Sequence, residues 1–140
     1  MLYIEHLNLV VNDIPKTLIF YQAAFPHWQI RSEGTGEWSG VTRNWLHFGD
    51  DYQYLTFNDN GVTENRDLSG HQVGLAHFAF VTNNLSAMKD RLATVGFEVH
   101  KQGPEHPYRA NLYFLDPNGF EVEFVEYASD LPAERNSGDE

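Results

Sequence analysis

Three residues of this chain carry donors suited to a divalent cation: His6, His77 and Glu123. The two histidines are related by the sequence itself. His6 stands in Ile4-Glu5-His6-Leu7-Asn8-Leu9-Val10-Val11-Asn12-Asp13-Ile14. His77 stands in Leu75-Ala76-His77-Phe78-Ala79-Phe80-Val81-Thr82-Asn83-Asn84-Leu85, the same pattern 71 positions later. In each copy a histidine opens an apolar strand, an Asn/Asp turn follows, and a helix-like stretch comes next. Such a repeat sets the architecture, and two facing copies bring two imidazoles together. Glu123 lies in the last apolar strand, with Phe120, Val122 and Phe124 on one face and Glu121, Glu123 and Val125 on the other. A carboxylate there faces solvent or meets a cation, because burying it alone is costly. Two imidazoles and one carboxylate make the facial set of non-haem Fe(II), with open positions for substrate and oxygen; Mn, Ni, Co and Zn accept the same donors. Taken singly, each residue has a plainer reading. A strand histidine is usually a hydrogen-bonded structural residue, and a strand glutamate usually faces water. The repeat moves the set toward metal.

The elements that must position these donors follow from hydrophobic periodicity. Residues 3–11 read as a strand, with His6, Asn8 and Val10 on one face. Asn12-Asp13 caps a helix that Pro15 opens and Phe25-Pro26 ends. A strand over 28–31 gives way to a Gly-rich loop, 33–40, that carries Trp38. Strands over 41–48 and 52–57 close the first module, about 1–58, and a polar linker spans 59–70. The second module, about 71–127, begins with a strand over 75–82. A helix capped by Asn83-Asn84 runs to about Val95. Strands over 97–101, 110–115 and 120–127 complete it, with a β-turn at Asp116-Pro117-Asn118-Gly119. The tail, 128–140, is polar. Each module therefore reads strand, helix, three strands, within a single α+β domain.

Composition excludes several functions. A net charge of -11 argues against nucleic acid or an anionic membrane as partner. The chain has no cysteine, which removes disulfides, thiolate catalysis and Cys-based zinc sites. The first residues form no signal peptide and no stretch reaches a membrane span, so a cytoplasmic location is expected.

The motifs Glu5-His6-Leu7-Asn8-Leu9-Val10-Val11 with Phe20-Tyr21, Leu75-Ala76-His77-Phe78-Ala79-Phe80-Val81, and Tyr113-Phe114-Leu115-Asp116-Pro117-Asn118-Gly119-Phe120-Glu121-Val122-Glu123 resemble the vicinal oxygen chelate superfamily. That superfamily holds glyoxalase I, extradiol dioxygenases, fosfomycin-resistance enzymes and bleomycin-binding proteins. The resemblance implies two tandem βαβββ modules whose sheets form a cup around a divalent metal. His6, His77 and Glu123 fall on three of its ligand positions. The fourth, a glutamate in glyoxalase I, matches Tyr54 best, or Gln53 with a one-residue slip. Neither is a carboxylate, which favours a three-ligand, dioxygenase-like site holding Fe(II) over a glyoxalase-like isomerase or lyase.

The same resemblance implies catalytic roles for Tyr113, ten residues before Glu123, and for His106 as acid/base, with His71 as a second candidate. Asn8, Tyr54 and Trp38 are expected to line the pocket. A fosfomycin-type substrate is poorly served, because Arg109 is the only basic residue between the Gly103 loop and the last strand. A metal-free, bleomycin-type binding protein would draw its walls from Trp28, Trp38, Trp45, Tyr52, Tyr54 and Tyr108. The expected partners are a small-molecule substrate with vicinal oxygens and a second copy of the chain in a homodimer.

Overall fold

The repeat is realised as two four-stranded mixed sheets. The computed structural model describes residues 1–138 and divides into one unit of Met1–Glu64 and a second that starts at Asn65. The first unit runs β1 (His6–Val10), α1 (Ile14–Ala24), β2 (Gln29–Trp38), β3 (Val41–Gly49) and β4 (Tyr54–Asn58). Its sheet order is β1-β4-β3-β2, with β1 parallel to β4 and the other pairs antiparallel. The second unit runs β5 (Phe78–Val81), α2 (Leu85–Thr94), β6 (Lys101–Gln102), β7 (Arg109–Leu115) and β8 (Glu121–Tyr127), followed by a short α3 (Pro132–Arg135). Its order, β5-β8-β7-β6, and its strand directions repeat the first. This is the α+β, two-module fold read from the sequence.

α1 and α2 each start on a side chain that the repeat supplies. Asp13 Oδ1 accepts from the Lys16 amide at 2.8 Å, and Asn84 Oδ1 from the Ala87 amide at 3.0 Å. The helices cover the apolar face of their own sheet. In the first unit Phe20 and Tyr21 are buried with Leu46, Phe48, Leu55 and Phe57; in the second, Met88 and Leu92 are buried with Phe114, Val122 and Phe124. Each such side chain contributes about 1.5–3 kcal/mol of apolar burial. The opposite sheet faces carry the polar residues, so packing of the helices decides where chemistry is left.

The structure departs from the sequence reading in three places. The expected Gly-rich loop is strand: β2 continues to Trp38 and turns back through Ser39 (φ 50°) and Gly40 (φ 82°), the two left-handed positions of a tight hairpin. Its glycines serve packing. A Cβ on Gly34 would lie 2.7 Å from the Trp45 ring, so Trp45 lies flat across β2 only because that position has no side chain. The strand expected over 97–101 shrinks to β6, and β5 begins at Phe78, which leaves His77 just ahead of its strand. No helix among the described residues is long and apolar enough to cross a membrane.

Candidate metal centre

The second unit gathers two of the three expected donors. β5 pairs with β8 in the register Ala79 to Glu123, and β8 pairs Glu123 with Tyr113 of β7. Period-two alternation then puts Glu121, Glu123, Tyr113 and Asn111 on one face. His77 Nε2 lies 3.1 Å from Glu123 Oε1, and His77 Nδ1 lies 3.8 Å from Glu121 Oε1. Asn111 Nδ2 donates to Glu123 Oε2 at 3.1 Å and to the Tyr113 hydroxyl at 3.3 Å. Glu121 is buried and is compensated by Lys101 Nζ at 3.2 Å, which also sits 4.7 Å from the centre of the Tyr113 ring. Burial pushes the Tyr113 phenol above its ordinary range, and the Glu123 charge adds to the shift. Tyr113 therefore holds its proton beside Glu123.

The first unit presents the third donor on the matching face. His6 opens β1, and its Nδ1 lies 2.9 Å from Glu5 Oε1. With Nδ1 donating to that carboxylate, the lone pair is left on Nε2. His6 stacks on Tyr54 at 4.6 Å between ring centres, and Tyr54 stacks on His47 at 4.7 Å. Asn58 Nδ2 donates to Asn8 Oδ1 at 2.6 Å and Arg43 Nε to Asn58 Oδ1 at 3.1 Å. Burial, the Arg31 charge and His6 all depress the His47 pKa. Asn8, Tyr54 and Trp38, expected around a pocket, share this face by register. Trp38 is at its far end, 5.7 Å from the Arg43 guanidinium.

The two units can be aligned through their pairing. Val11 N–H donates to Asn58 O, and Thr82 N–H donates to Val125 O, at the same point of each repeat. Counting back two residues places Thr56 where the second unit has Glu123, and His47 where it has Tyr113. The position assigned from sequence to Tyr54 or Gln53 is therefore occupied by Thr56. Tyr54 and Gln53 follow from the sequence position of the strand, and only the ladder fixes its register on β1.

His106 is not brought to this network. Its Nδ1 accepts from the Tyr108 amide at 3.0 Å and its Nε2 donates to Ser137 O at 2.7 Å, so both nitrogens are taken up by main chain. Nor does Arg109 exhaust the cations near the donors. Arg31 and Arg43 lie on the His6 face. Arg31 was unreadable because a β-bulge between Ile30 and Ser32 breaks the alternation. Glu5, Glu121, Lys101 and Asn111 were also missed as partners of the donors, although Glu121 carried one signal, its place on the Glu123 face. Among the described residues, no three or more His, Asp or Glu are drawn into a ready metal cluster. The gathered donors are the pair His77 and Glu123, and His6 belongs to the other unit.

A family model described as the Glyoxalase/Bleomycin resistance protein/Dioxygenase superfamily matches residues 3–124. No curated protein sequence matches. Among solved structures, a glyoxylase/bleomycin resistance protein/dioxygenase domain from Frankia sp. EAN1pec is similar at 21% identity and TM-score 0.75, covering 94% of this chain and 96% of that one. The E126Q mutant of the fosfomycin resistance protein FosX from Listeria monocytogenes, complexed with Mn(II) and 1S,2S-dihydroxypropylphosphonic acid, is similar at 18% identity and TM-score 0.72, covering 99% of both chains. A glyoxalase family protein from Enterococcus faecalis follows at 18% identity and TM-score 0.69, covering 89% of this chain and 97% of that one. At such identities the likeness speaks for the fold.

Proposed function

This chain belongs to the Glyoxalase/Bleomycin resistance protein/Dioxygenase superfamily, and from that premise we propose that it is a divalent-metal enzyme acting on a small organic molecule with vicinal oxygens. The ligands are His6, His77 and Glu123, and the two units act as one domain. The observation that carries the reading is the orientation of the histidines. Each directs Nδ1 toward a glutamate of its own unit, Glu5 at 2.9 Å and Glu121 at 3.8 Å. Metal-binding imidazoles are commonly held by a carboxylate that accepts from the other ring nitrogen, as Glu5 does for His6. Nε2 of His77 already lies beside the Glu123 carboxylate, so the donor chemistry fits a divalent cation.

Thr56, at the place equivalent to Glu123, supports a set with one carboxylate. Such a set suits Fe(II) and dioxygenase-like chemistry better than a two-glutamate isomerase site. When bound, a divalent ion would supply Lewis acidity to the vicinal oxygens and, as Fe(II), an electron source for O₂. The protein's own share is positional. Glu5 fixes the tautomer of His6, the Glu121 charge lies 3.8 Å from His77 Nδ1, and Asn111 holds Glu123. Tyr113, protonated at neutral pH, donates to a substrate oxygen. We place the protein in the cytoplasm as a homodimer.

The test is elemental analysis of protein purified without oxygen, alongside His6→Ala, His77→Ala and Glu123→Gln. About one metal per chain is expected in the parent and a loss of at least tenfold in each variant, with circular dichroism unchanged. Iron would be followed by oxygen-uptake assays on catechols. Nickel, manganese or zinc would replace the dioxygenase chemistry with isomerase or lyase chemistry. Full metal occupancy in His77→Ala would sink the ligand assignment, and a parent that takes up no metal on reconstitution would leave a binding protein.

A further inference from the structure

We propose that Arg31 is the specificity residue of this site and that it recognises an oxyanion, such as a carboxylate, carried by the substrate. The inference rests on the metal-enzyme reading for the rest of the molecule, but its own support lies within the first unit.

The bulge in β2 is the starting point. Ile30 pairs with Phe48, on the face covered by α1, whereas Ser32 pairs with His47, on the polar face. Residues two apart on a regular strand share a face, so one extra residue has been inserted, and it is Arg31. The insertion turns its side chain onto the polar face. There the guanidinium carbon lies 4.3 Å from the centre of the Tyr54 ring. That ring is the one on which His6 stacks at 4.6 Å. One aromatic ring therefore touches both the cation and the proposed metal ligand.

Arg31 forms no ion pair within 4.0 Å among the described residues. Asp50 is the acid it acts on through space. That carboxylate is engaged by its own turn, where Oδ1 accepts from the Tyr52 and Gln53 amides at 2.8 and 2.7 Å. Glu5, the other acid at this face, is engaged by His6. Arg31 is also exposed, so a ligand can reach its planar donor fork, which matches an oxyanion bidentately. Arg43 supplies a second positive charge on the same face. The chain carries a net charge of -11, and two guanidinium groups on one face are the local positive charge that attracts an anion there.

The experiment compares two probes, catechol and 3,4-dihydroxybenzoate, by anaerobic calorimetry, with metal content measured on the same samples. The parent is expected to bind the carboxylated probe about tenfold more tightly. Arg31→Gln should reduce that ratio to near one with metal content unchanged, and Arg31→Lys should restore part of it. His77→Ala should lose metal and weaken both probes while keeping their ratio. A ratio near one in the parent, an undiminished ratio in Arg31→Gln, or no binding of either probe overturns the inference. An Arg31-dependent preference in protein that takes up no metal would remove the metal reading and leave the anion subsite standing.

Discussion

At the scale of single residues, partners set the chemistry more than residue types do. His47 illustrates this. Burial, Arg31 and His6 all disfavour its charged form, so its pKa in the folded unit lies below the ordinary value of about 6.5. The unfolded chain then binds the proton more readily. This group's contribution therefore favours folding as pH rises through the interval between the lowered value and about 6.5. The stability is lost as pH falls through the same interval. Acidification is expected to destabilise the parent more than His47→Gln, read as denaturation midpoints between pH 7.5 and 5. Arg31→Gln removes one cause of the shift and should move the His47 titration upward in NMR spectra of the metal-free protein. A His47 titration unmoved by Arg31→Gln would deny their coupling.

At the scale of elements, the hairpin of β2 and β3 shows glycine acting through space. Gly34 would place a Cβ 2.7 Å from the Trp45 ring, and Gly36 a Cβ 3.2 Å from an Arg43 nitrogen. Both side chains fold across the neighbouring strand because those positions are bare. Gly34→Ala is expected to cost about 1–3 kcal/mol by overpacking and to red-shift the tryptophan emission as Trp45 is displaced. Gly36→Ala meets only the end of a flexible arginine and should cost less. Equal midpoints for Gly34→Ala and the parent in urea denaturation would contradict this packing. The paired caps, Asp13 and Asn84, occupy equivalent places in the two repeats and bond the third helical residue in each. Their recurrence explains why both helices were legible.

At the scale of the whole molecule, the duplication supplies the function with two similar faces of different chemistry. One unit offers His77 with Glu121 and Glu123; the other offers His6 among aromatic rings and arginines. Within the first unit the arginines stand beside the stacked rings of His6 and Tyr54, and within the second the carboxylates stand beside His77. The proposed homodimer predicts twice the monomer mass in light scattering at micromolar concentration. A mass near 16 kDa would refute it.

The sequence alone determined the repeat, the order strand–helix–three strands, the caps and the three candidate ligands. These are local signals: alternation of period two, Asx residues ahead of helices, and a pattern that recurs. It also determined that Glu121 and Glu123 share a face. The ladder had to decide which residue of β4 stands opposite Asn8. A one-residue slip in a strand flips every side chain, and Thr56 is identified only by the bonds that register β4 on β1. The same holds for Arg31, because a bulge is a property of two paired strands and leaves no mark in one of them. The engagement of His106 by Tyr108 and Ser137, 31 residues apart at its far end, is likewise a tertiary fact. Residue types nominated the donors; the partners that orient them, and the cations beside them, exist only once the sheets are assembled.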